Sequence, residues 1–141
     1  MTCILRARGT NFDVDDFIVK TSLAADSFWR KGENRFPRSK SSEEINRSSG
    51  IRVVASKADF SELSQQIEDV IVFLRQNQEA IRALAFFPGV EVAVLDFGAE
   101  IYPPGWASFT FPAELLLLAG AANVSLCLSV YPTDTEGEAD A

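Results

Sequence analysis

The titratable chemistry of this chain rests on twenty carboxylates, thirteen lysines and arginines, two cysteines and no histidine. Without an imidazole the chain lacks the commonest general base near neutral pH, the usual partner of a serine or cysteine nucleophile, and the commonest zinc ligand. Any metal would have to rest on carboxylates alone. Asp13, Asp15 and Asp16 are the densest acidic group, and their spacing suits a helix N-terminus, with Asp13 as cap and the others complementing the dipole. The adjacent Glu68 and Asp69 fall on the polar side of a helical pattern. Asp96 stands inside the apolar run Val92-Ala93-Val94-Leu95-Asp96-Phe97-Gly98. Such a carboxylate pairs with an arginine or caps a loop when structural, and titrates high when catalytic; no second acid or base is tied to it by spacing, so a structural role is expected. Cys3 and Cys127 form no Cys-x-x-Cys pair, and no glycine spacing matches a phosphate loop. The sequence therefore assigns no catalytic residue, no metal ligand and no cofactor.

What it does assign is a place for binding. Residues 27–40 hold five of the thirteen basic residues and one of the two tryptophans. With five basic residues and one acid the stretch nets +4, so the remaining residues, with eight basic and nineteen acidic, net −11. Trp29, Arg30, Lys31, Glu33 and Arg35 are the interface candidates from this stretch, because an aromatic among arginines is the composition of an interaction hot spot. The competing account is a hairpin whose arginine stems cover Phe28 and Phe36. Asp96 joins the list as a carboxylate that Arg30, Lys31 and Arg35 could approach, and Trp106 as the second tryptophan, set in a proline-rich loop.

A net charge of −7 and a pI near 4.6 argue against nucleic acid, whose binders gain affinity from many cations displacing counterions. No leader-like segment opens the chain, and no apolar run approaches the length that spans a bilayer. The expectation is a cytoplasmic protein with no membrane partner.

The elements that must position these residues follow from periodicity. Residues 3–8 alternate as a strand with one wetter face, bearing Arg6 and Arg8. Asp13 opens a helix reaching about residue 22, with Phe12 and Phe17 as a hydrophobic staple. Residues 27–35 read as an extended hairpin arm, 38–50 as an exposed serine-rich loop, and 51–56 as a strand. Asp59 and Glu62 form a capping box for a long amphipathic helix to about residue 87, with a break near 76–78. Residues 90–97 read as a central strand, 101–110 as a loop, Pro112 as the first turn of a helix buried over 115–122, and 124–131 as a half-exposed strand. Residues 133–141 carry four acids and no base, the composition of a disordered tail, which leaves 1–132 as a single domain. This order gives an α+β two-layer sandwich, helices packed on an antiparallel or mixed sheet, with a ferredoxin-like core and an added helix and strand.

Several words of the sequence together resemble a bacterial family known as domain-of-unknown-function family 4279. They are Leu5-Arg6-Ala7-Arg8-Gly9 leading to Phe12-Asp13-Val14-Asp15, then Trp29-Arg30-Lys31-Gly32-Glu33, Phe87-Pro88-Gly89-Val90-Glu91, Leu95-Asp96-Phe97-Gly98 and Phe111-Pro112-Ala113-Glu114-Leu115. The resemblance implies a small bacterial protein and brings no activity with it. On residues and resemblance together, the leading expectation is a non-catalytic protein-binding module, such as an immunity or inhibitor protein that caps a toxin domain. The alternative is a small-molecule or anion-binding protein or enzyme using Arg30, Lys31, Arg35 and Asp96. A third reading is a homo-oligomer joined through an edge strand, 124–131.

Overall fold

A computed structural model of the chain describes residues 3–35, 44–102 and 105–133. Strand β1 (Cys3–Gly9) lies at the centre because its inward residues, Cys3, Leu5 and Ala7, are fully buried. It pairs antiparallel with β3 (Ser49–Ser56) on one side and β4 (Val92–Ile101) on the other. The three-residue β2 (Ser27–Trp29) adds antiparallel to β3, so the first four strands stand in the order β2-β3-β1-β4 with every pair antiparallel. Helix α1 (Val14–Lys20) links β1 to β2, and α2 (Leu63–Gln76) with α3 (Gln78–Ala85) links β3 to β4. This is the ferredoxin-like arrangement expected from the element order. Helix α4 (Ala113–Ala121) then leads to β5 (Ser125–Pro132), which lies parallel to β4 at the outer edge and makes the sheet mixed.

The core lies between the helices and one face of the sheet. Leu5, Ile51, Leu95 and Phe97 from the strands meet Phe17, Val70, Leu74, Ile81, Leu84 and Leu115 from the helices. Burying such side chains contributes roughly 1.5–3 kcal/mol each before conformational entropy is set against it.

Local signals account for most element ends. Asp13 accepts a hydrogen bond from the Asp16 N–H at 3.0 Å, and the Phe12 and Phe17 rings stand 6.1 Å apart. Asn77 separates α2 from α3, its N–H and side-chain amide both turning back to the Phe73 carbonyl. Asn123 adopts a positive φ of 61°, the left-handed turn after α4 that asparagine tolerates.

Three expectations need correction. Helix α2 begins at Leu63, after the anticipated box: Asp59 spends its carboxylate on the neighbouring Phe60 N–H, and Glu62 makes no cap bond. The serine-rich loop is shorter than expected, because Arg35 and Glu33 pair with Glu44 and Asn46, and β3 starts at Ser49. Its remainder, 38–43, lies outside the described residues, as do 36–37 and the acidic run 134–141. In α4 only Leu115 and Ala119 are buried, while Leu116 and Leu117 face outward, since a single helix lying on a sheet hides one stripe only.

Candidate functional site

Because the helices cover one face of the sheet, the alternate residues of each strand form a second face, which is open among the described residues. On β1 these are Ile4, Arg6 and Arg8; on β3, Arg52 and Val54; on β4, Val92, Val94 and Asp96. Arg6 stands directly opposite Arg52 on one side and Val94 on the other, and Arg8 opposite Gly50 and Val92. The Trp29 indole lies over Gly50, in the space a β-carbon at that position would fill. Arg35, Glu44, Ile45, Asn46, Arg47 and Ser48, from the hairpin that follows β2, rise beside it. Of these, Arg6, Arg8, Arg52, Val92 and Val94 from the strands line a groove of about 1180 Å³ together with Trp29 and the hairpin residues. At its other end the open face is closed by Phe60, which packs against Gly98 and stacks on Tyr131 with ring centroids 4.6 Å apart.

The groove is strongly cationic: five arginines line it against one carboxylate, Glu44. Arg6 donates to Asp96, whose other oxygen accepts from the Ser129 hydroxyl at 2.7 Å. Arg35 lies 3.6 Å from Glu44. Arg8 sits close enough to Glu91 to favour its ionised form. Hydrogen bonds from the Thr10 hydroxyl and N–H do more, and together they hold the Glu91 carboxyl below its usual range. Arg47 and Arg52 make no salt bridge among the described residues. Like charges directly opposite on neighbouring strands destabilise a sheet, and Arg6 with Arg52 is such a pair.

The residues singled out from sequence fall in different places. Trp29 and Arg35 line the groove. Arg30 turns away: its guanidinium bonds both oxygens of Asp15, at 2.8 and 2.7 Å, reaches Glu33, and lies over the Phe28 ring. Asp15 titrates below the usual carboxylate range, mainly through that hydrogen bond, and Arg30 is held correspondingly high. Lys31 is exposed and donates its N–H to Ser49. Glu33 serves Arg30, Asp96 serves Arg6, and Trp106 is 89% exposed outside the groove. Arg30, Lys31, Arg35 and Asp96 thus do not line one pocket.

Composition reasoning missed Arg6, Arg8, Arg47 and Arg52. A signal was present for the first two, since Arg6-x-Arg8 in a strand places both side chains on one face. What it lacked was Arg52, brought opposite by a pairing that spans forty-odd residues.

The face offers shape, charge and one indole, with no assembled nucleophile. Burial pushes the Cys3 thiol up, so it is a poor source of thiolate. Among the described residues no three histidine, cysteine or acidic side chains cluster as a metal site, and no helix is long and apolar enough to cross a membrane. Fold and face define an α+β two-layer protein with an arginine-lined, open sheet surface. No family model, curated protein or solved structure matches the chain.

Proposed function

We propose that this protein is a non-catalytic protein-binding module that receives an acidic surface of its partner on the open face of the sheet. The observation that carries this reading is the gathering of Arg6, Arg8, Arg35, Arg47 and Arg52 with Trp29 around one groove, in a chain of net charge −7. Arg6 and Arg35 already have carboxylate partners in Asp96 and Glu44, so Arg8, Arg47 and Arg52, with Arg52 repelling Arg6 across the strands, gain most from a ligand that brings anions. The acidic remainder repels molecules that approach elsewhere, and the local positive field steers an acidic partner to the groove. A bacterial cytoplasmic inhibitor or immunity protein that caps an acidic toxin surface fits this chemistry and the family resemblance.

Binding of poly-L-glutamate tests the sign of the face. The Arg8→Glu/Arg52→Glu double variant is expected to lose binding by roughly tenfold or more, since each contact to a charged partner is worth about 1 kcal/mol. Lys57→Glu, exposed and outside the groove, should bind nearly as the parent does. Undiminished binding by the double variant would remove the proposal.

A further inference from the structure

Resting on that reading, we infer that the open face recognises an extended acidic segment whose carboxylates recur at every second residue. Arg6 and Arg8 are alternate residues of β1, so their Cα atoms stand two strand rises apart, about 6.8 Å. Arg52 lies directly across from Arg6, about 5 Å away between Cα atoms. The strands therefore present two cationic stations along one line, Arg6 with Arg52 and then Arg8. A peptide in extended conformation repeats its side chains on one face with the same spacing. One carboxylate settles between Arg6 and Arg52, and the next on that face over Arg8. Contiguous acids in an extended segment alternate faces, so half of them point away from the arginines.

Asp96 offsets part of the Arg6 charge without occupying the whole guanidinium. It engages one end of the Arg6 guanidinium, which fixes its orientation and leaves further N–H donors for a ligand. Val92 and Val94 run beside the two stations on β4, giving the peptide backbone an apolar strip to lie against. The chain itself contains a run of the pattern, Asp134, Glu136, Glu138 and Asp140, which supplies a natural probe sequence.

The test uses two fluorescein-labelled peptides of identical composition: residues 133–141 of this chain, and a shuffled form with its four acids contiguous. Anisotropy titrations with the full-length protein at low salt are expected to show the alternating peptide binding about fivefold tighter, the value of one additional ion pair. Any occupation of the face by the protein's own acidic run weakens both peptides alike and leaves the ratio intact. Arg8→Glu, or the milder Arg8→Gln should the reversal disturb folding, is expected to abolish the preference. Equal affinity for both peptides overturns the spacing rule and leaves the acidic-partner reading standing. If neither peptide binds while poly-L-glutamate still depends on Arg8 and Arg52, the spacing rule falls alone. If poly-L-glutamate fails as well, both fall together.

Discussion

Asp96 sets how much positive charge the open face presents. Its side chain is 16% exposed, held by Arg6 on one oxygen and Ser129 on the other, so it is a built counter-charge to one of the five arginines. Asp96→Asn keeps the shape and removes the charge. The expected result is tighter binding of an acidic peptide by about fivefold, together with a stability loss of about 1–2 kcal/mol from the weakened hydrogen bonds. Peptide titration and urea unfolding measure the two effects separately, and unchanged or weaker affinity would show that Asp96 does not restrain the face. The sequence left Asp96 either an arginine partner or a loop to cap and could not choose between them, because Arg6 is ninety positions away. By contrast the Asp13 cap was legible at once, since donor and acceptor lie three residues apart. Arg30 illustrates the opposite error: the most conspicuous cation in the basic stretch is the one most fully engaged by carboxylates, at Asp15 and Glu33.

At the scale of elements, the frame behind the groove depends on how α2 grips β4. Gln66 is completely buried, and its amide donates to the Gly98 carbonyl at 2.9 Å and accepts the Gly98 N–H at 3.1 Å. It also donates to the Asp59 carbonyl at 2.8 Å. The pairing described between β1 and β4 runs from Val92 to Asp96, and at Gly98 a helix side chain bonds both backbone groups. Gln66→Met preserves volume and strands both backbone groups, at an expected cost of about 2–4 kcal/mol. A lowered urea midpoint with an unchanged slope is the signature, and a loss below half a kcal/mol would mean the clamp is dispensable. Helical periodicity showed that α2 exists and that it breaks near Asn77. It misplaced the start by reading Asp59 and Glu62 as a box, because the pattern cannot reveal that the Asp59 carboxylate turns to Phe60 instead.

At the scale of the whole molecule, the charge separation is real in space and built from other residues than the basic stretch alone suggests. The groove lining counts five basic residues and one acidic, a net of +4, and the rest of the chain, with eight basic and nineteen acidic, nets −11. Element order was enough to anticipate the ferredoxin-like core, since each element announces itself locally. The cationic face was not legible, because it depends on strand order: β1 must lie between β3 and β4 before Arg6, Arg8 and Arg52 become neighbours. On the proposed function, an acidic ligand is held through a field that salt collapses, the Debye length falling from about 10 Å at 0.1 M to about 3 Å at 1 M. Raising sodium chloride from about 0.05 M to about 0.5 M should therefore weaken binding of the alternating acidic peptide by roughly tenfold or more, mostly through a slower association rate. In the Arg8→Glu/Arg52→Glu variant the same titration should be nearly flat, because the attraction that salt removes is already gone. Stopped-flow anisotropy across the salt series reads both quantities, and a parent protein whose affinity ignores salt would contradict an electrostatic role for the groove.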